Sequence, residues 1–182
     1  MTLLVMACPK SGGRATLTSA GTTWAVIDGT WTVDGNTLIG SGGHVQSTAE
    51  YDDVTIEMDV EQNADFGDRN VGVGLRYSFT NYDPRKTNGY DVNWNSRKRI
   101  NEFVGEANVW KPLHRNWLSS PALQPLKNHL VLRARGALFS VEANGAVIDT
   151  FSDGTHVRGH VSLWVESTRQ TVRFANIRLS PG

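Results

Sequence analysis

Cysteine is nearly absent. Cys8 is the single one in 182 residues, so no intrachain disulfide can form and a cysteine-rich zinc site is excluded. Neither sign of charge is in excess, with 18 Lys+Arg against 18 Asp+Glu, whereas a protein that tracks a phosphate backbone carries a clear basic surplus. Nucleic acid is therefore not an expected partner, and neutral ligands fit better. No run approaches the roughly eighteen consecutive apolar residues of a transmembrane helix. Apolar residues also fail to recur at the helical period of about 3.6 over any long window, which excludes a helical domain.

What remains is a chain long enough for one domain with a full core, since at this length roughly 70% of the unfolded surface can be buried. Residues 14–182 are expected to form that domain and residues 1–13 a tail. The apolar run Leu3-Leu4-Val5-Met6-Ala7-Cys8 is similar to the end of a lipoprotein signal, although it lacks a basic flank and the length of a signal core. It reads either as a truncated signal, with an extracytoplasmic location (secreted, periplasmic or lipid-anchored), or as a plain terminal strand.

The dominant period is two. Val54, Ile56, Met58 and Val60 alternate with Thr55, Glu57, Asp59 and Glu61, which gives one core face and one acidic, wet face. Val71, Val73, Leu75 and Tyr77 alternate with Gly72, Gly74 and Arg76, and Tyr90, Val92 and Trp94 alternate with Asp91, Asn93 and Asn95. Short strands over 24–27, 30–33 and 37–39 are punctuated by Asp28-Gly29 and Asp34-Gly35-Asn36, whose residues accept the positive φ of tight turns. Further strands are expected over 129–134, 138–142, 146–151, 157–165 and 171–179, with Asn144-Gly145 as the strongest hairpin signal. Residues 105–127 hold Pro112, Pro121 and Pro125 and show little alternation, so no central strand is expected there. About a dozen strands without a helix predict an all-β, two-sheet sandwich or jelly roll.

Several of these pieces resemble the concanavalin A-like jelly roll, and specifically the bacterial 3-keto-disaccharide hydrolase domain family. Thr30 to Gly40 is similar to its opening tryptophan-x-valine hairpin, and Asp53 to Met58 to the strand that follows. Asn70-Val71-Gly72-Val73-Gly74-Leu75-Arg76 and Gly89-Tyr90-Asp91-Val92-Asn93 resemble the family's two most specific strands, and Phe174 to Leu179 its closing one. The resemblance implies carbohydrate binding on the concave sheet, or cleavage of a glycoside; a structural, adhesin-like module would keep the fold without a glycan site. Departures are Asp91 and Asn93, each one methylene shorter than the family's glutamate and glutamine. Related jelly rolls hold a structural calcium with an aspartate where this chain has Ala175, so a calcium there would lose a ligand and no cofactor is expected.

If the strands of Glu57, Arg76 and Asp91 are neighbours, their outward faces collect Glu57, Asp59, Arg76, Asp91, Asn93 and Asn95 around the bare backbone of Gly72 and Gly74, a floor on which a sugar ring can lie. Such a face is also what any solvated sheet with internal charge pairing presents. Glu57 and Asp91 are the candidate acid–base groups of an enzyme. Glu57-Met58-Asp59-Val60-Glu61 looks like the catalytic strand of laminarinase-type glycosidases, whose two carboxyls must stand about 5–5.5 Å apart. In those enzymes, however, that strand follows the one matched here by residues 70–76.

Trp31, Trp94 and Trp164 are expected in the core, and Trp110 and Trp117 either as sugar platforms or as loop anchors. The five histidines show no metal-ligand spacing; His114 is a candidate base beside Asp91 if its loop folds over the sheet, and otherwise a surface loop residue.

Overall fold

The computed structural model describes residues 15–79, 83 and 86–182, so Cys8 and the run before it lie outside the described residues. The first elements are β1 (Thr16–Ser19), β2 (Thr22–Val26), β3 (Thr30–Asp34), β4 (Thr37–Ser41), β5 (Gly43–Tyr51) and β6 (Val54–Gln62). The middle of the chain supplies β7 (Asn70–Phe79), β8 (Thr87–Asn95), β9 (Arg99–Glu106), β10 (Val109–Pro112) and β11 (Leu118–Ser119). The last third supplies β12 (Lys127–Arg135), β13 (Leu138–Ala143), β14 (Ala146–Ser152), β15 (Gly159–Val165) and β16 (Val172–Pro181). Among the described residues no helix is long and apolar enough to cross a membrane.

Two antiparallel sheets pack face to face. The larger has the order β1-β2-β5-β15-β7-β8-β9-β10 with β11 on β9, and the smaller β14-β13-β12-β6-β16-β4-β3. Their inner faces follow the alternation of the sequence: Ile56, Met58, Leu132 and Phe174 of the smaller sheet and Val73, Tyr90, Val92, Trp94 and Leu163 of the larger are buried in one core. Full burial of each large apolar side chain contributes about 1.5–3 kcal/mol.

Strands 54–61 and 70–77 are not neighbours. β6 lies in the smaller sheet, whereas β7 and β8 pair in the larger one. The link at Asp28-Gly29 is likewise no hairpin, because β2 and β3 belong to different sheets. The Gly35-Asn36 and Asn144-Gly145 turns are as expected, with Asn144 and Gly145 at φ 52° and 82°. The Pro-containing stretch contributes only the short β10 and β11, both on β9, and Pro112 ends the edge strand β10, where a missing N–H costs no ladder bond.

One irregularity governs the site. β7 carries one extra residue between Leu75 and Ser78 relative to Tyr90 and Asn88 of β8, a bulge in which Arg76 takes φ 51°. The extra residue exchanges the faces of its neighbours. Tyr77, which continues the apolar parity, turns outward to pair with His160, and Arg76 turns inward. Gly89 and Gly159 flank the bulge on the two adjoining strands, where any Cβ would press on the Arg76–Tyr77 backbone.

Candidate functional site

The outer face of the larger sheet is built on three bare positions. A Cβ at Gly72 would collide with the Trp164 indole, one at Gly74 with the Tyr77 ring and one at Gly105 with the Trp110 ring. Each glycine is thus the seat of an aromatic side chain. Gly72 and Gly74 were expected to leave a bare floor for a sugar; the rings of Trp164 and Tyr77 occupy that floor instead.

The rings form a continuous row. His44 stacks near Trp164 (centroids 5.9 Å apart) and Tyr77 (6.5 Å), and Tyr77 stacks with Trp110 at 5.7 Å. Polar contacts fix both ends. Asp28 Oδ1 lies 3.0 Å from His44 Nδ1 and accepts the His44 backbone N–H at 2.7 Å, and Asn108 Oδ1 accepts the Thr87 hydroxyl at 3.0 Å and the Trp110 indole N–H at 3.2 Å. Asn108 stands in a turn in which both it and Ala107 have positive φ, so this loop holds the indole against the sheet.

These rings wall a cavity of about 280 Å³, whose polar lining comes from Asp91, Asn93, Thr87, Asn108 and His44. Among the described residues Asp91 is its only carboxyl group. Trp164 reaches across β7 at Gly72 and donates its indole N–H to Asp91 Oδ1 at 2.7 Å. Burial pushes the Asp91 carboxyl up to about 7, against the opposing pull of the Trp164 hydrogen bond, the His44 charge and the Asn93 side chain. A carboxyl titrating there is able to accept hydroxyl hydrogen bonds or to exchange a proton near neutrality.

Of the residues singled out in the sequence, the structure brings together Asp91, Asn93 and Trp110 with Gly72 and Gly74 beneath the rings, and separates the others. Arg76 is buried beneath the sheet: its Nε donates to the Asp52 carbonyl at 2.7 Å, Nη1 to the His156 carbonyl at 2.9 Å and Nη2 to Asp53 at 3.3 Å, and its guanidinium lies 5.2 Å from the Phe139 ring centre. It ties two inter-sheet connections together and reaches no ligand surface. Glu57 and Asp59 lie on the outer face of the smaller sheet. There Asp59 contacts His129 at 2.8 Å and accepts from Asn176 at 2.6 Å, and Glu57 lies 3.5 Å from His129 and 3.7 Å from Arg178. Asn176 first and His129 second hold the Asp59 carboxyl below its usual range. Glu61 pairs with Lys127 at 3.1 Å, so the Glu-x-Asp-x-Glu strand is a charge-paired solvent face.

Asn95 caps the β8–β9 turn through the backbone N–H groups of Arg97 and Arg99. Trp117 meets Phe103 edge-on at 6.4 Å but does not line the cavity. His114 lies between the sheets with Glu102 and Asp149, not beside Asp91. Trp164, expected in the core, faces outward: the inward parity of β15 belongs to Val161, Leu163 and Val165. Sequence reasoning missed His44, Tyr77, Thr87, Phe103 and Asn108 as lining residues. The placement of Trp164 on the parity of His160 and Ser162 was the one available signal.

The same two-sheet arrangement recurs in solved structures. The carbohydrate-binding module CBM66 of Bacillus subtilis superposes with a TM-score of 0.67 at 21% identity, over 86% of this chain and 94% of the module. The Bacillus licheniformis β-glucanase gives 0.61 at 10% identity, over 95% of this chain and 100% of the enzyme, and a Caenorhabditis elegans galectin gives 0.53 at 14%, over 76% and 90%. The fold is the concanavalin A-like jelly roll. No family model matches the chain, and no curated protein matches its sequence. At these identities the likeness is one of fold, and the chemistry rests on the residues of this chain.

Proposed function

We propose that this domain recognises carbohydrate in the aromatic-walled cavity over Gly72, Gly74 and Gly105. The observation that carries the reading is a buried carboxyl, Asp91, set among the rings of Trp164, Tyr77, Trp110 and His44. A sugar presents an apolar C–H face, which suits a ring wall, and hydroxyls, which suit one carboxyl and a few amides. The volume lies just below the range of about 300–1,000 Å³ usual for small-molecule sites, so a terminal sugar fits better than the middle of a long chain. That structures described as a carbohydrate-binding module and a galectin share the fold supports the same ligand class. An extracytoplasmic location belongs to this reading and rests on the Leu3–Cys8 run alone.

A second reading, glycoside cleavage of the 3-keto-disaccharide hydrolase type, is favoured by one observation: Asp91 titrates near the pH at which a general acid or base works best. A retaining glycosidase of the two-carboxylate kind is not supported, since among the described residues no second carboxyl lines the cavity.

Calorimetry and product chromatography on one glycan panel, including 3-keto-glycosides and β-glucans, separate the readings. Binding without product, weakened at least tenfold in Trp110→Ala, is the expected result. Product that disappears in Asp91→Asn supports the second reading. No binding and no product across the panel would leave a structural module and overturn both.

A further inference from the structure

Among the described residues, one cluster of metal-ligating groups outside the cavity lies at the rim of the sandwich, between the two sheets. Glu102 projects inward from β9 of the larger sheet, Asp149 comes from the edge strand β14 of the smaller one, and His114 comes from the loop between β10 and β11. The His114 Nε2 atom lies 2.6 Å from Asp149 Oδ2 and 3.5 Å from Glu102 Oε2, and one potential ligand atom from each residue lies within 4.8 Å of the others.

Glu102 is the decisive member. It is 0% exposed, and neither carboxylate oxygen has a hydrogen-bond partner. A buried, unpartnered carboxylate is costly enough that its charge must be neutralised. Its surroundings allow two ways: a proton, shared with the Asp149 carboxyl beside it, or a cation held by all three residues. His114 and Asp149 are only partly buried, so the cluster opens to solvent on one side and an ion has a way in.

We propose that Glu102, His114 and Asp149 form a divalent-metal site that clamps the two sheets together at this edge. One imidazole and two carboxylates make a mixed nitrogen–oxygen set that suits zinc better than calcium, which prefers oxygens alone. Three protein ligands leave the fourth tetrahedral position to water. An ion bound through His114 Nε2 would replace the 2.6 Å contact with Asp149 and draw both carboxylates and the imidazole onto one centre. The site stands apart from the carbohydrate reading, since Glu102 and the cavity-lining Phe103 are consecutive residues on opposite faces of β9.

Zinc titration by calorimetry, on chelator-treated protein carrying Cys8→Ser to remove the thiol, tests the assignment. One ion per chain is expected, with a midpoint of thermal unfolding raised by about 5–10 °C at a hundredfold excess over Kd. Glu102→Gln, which keeps shape and removes charge, and His114→Ala, at a half-buried position, should each weaken binding at least tenfold, and His129→Ala should leave it unchanged. No saturable binding, or binding that survives both Glu102→Gln and His114→Ala, would overturn the site.

Discussion

Trp164 donates its indole N–H to Asp91 at 2.7 Å from two strands away, passing over Gly72 on the strand between. The bond joins the apolar wall of the cavity to its buried carboxyl group. It exists because position 72 has no side chain, and that dependence is open to mutation.

Gly72→Ala places a methyl group where the Trp164 indole lies. The backbone beneath the ring cannot retreat without breaking two ladders, so the ring must move and Asp91 loses its donor. Overpacking of this kind costs about 1–3 kcal/mol. Denaturant unfolding should show that loss, and glycan binding should fall well beyond what the stability change accounts for; an unchanged affinity would mean that the ring does not form the wall.

The raised Asp91 carboxyl gives stability a pH signature. In the unfolded chain the group ionises near pH 4, but in the folded protein only at about 7, so the folded state binds more protons between those values. Its contribution is greatest below pH 4, is lost as pH rises toward 7, and is constant above that. The stability difference between wild type and Asp91→Asn should therefore shift against the wild type by roughly 2–4 kcal/mol across this window. Asparagine can still accept the Trp164 bond, so the comparison isolates the charge. Urea unfolding of both proteins from pH 4 to 8 measures it, and parallel curves would contradict a buried, neutral Asp91.

Arg76 is a structural residue. Its guanidinium donates to two backbone carbonyls and to Asp53 while facing Phe139. Arg76→Ala strands those acceptors and should cost roughly 2–4 kcal/mol. Arg76→Lys recovers part of this but cannot reproduce three fixed donors. At temperatures where Arg76→Ala is still folded, as judged by circular dichroism, it should bind glycan with nearly wild-type affinity.

Glu57→Gln tests the opposite sheet. Its partners are the half-buried His129 and the exposed Arg178, so the change should alter stability by less than about 0.5 kcal/mol and leave binding or turnover untouched. A loss of function in this variant would move the site to the smaller sheet.

Core positions were legible wherever alternation ran unbroken, as at Val54, Ile56, Met58 and Val60, because period two alone assigns a face. The site was legible only in part. A single extra residue at Arg76 reverses the parity of Arg76 and Tyr77, and nothing local in the sequence marks that bulge. β5 escaped notice because its buried positions include Gln46 and Ser47, and Ser47 pairs with the Ala49 carbonyl and the Val161 N–H. Trp164, expected in the core on an apolar parity, belongs instead to the outward parity of His160 and Ser162. The sheet of β6 depended on which way the chain crosses after Tyr51, a tertiary choice. Glu102, His114 and Asp149 likewise come from three separate segments and meet only in the folded protein.

The central claim, that ligand sits against the aromatic row of the larger sheet, is tested most directly by nitrogen–proton correlation spectra of the tryptophan indoles during titration with a bound glycan. The Trp164 and Trp110 indole signals should shift saturably with ligand while those of the core residues Trp24, Trp31 and Trp94 stay in place. A bound glycan that leaves Trp164 and Trp110 unmoved would contradict it.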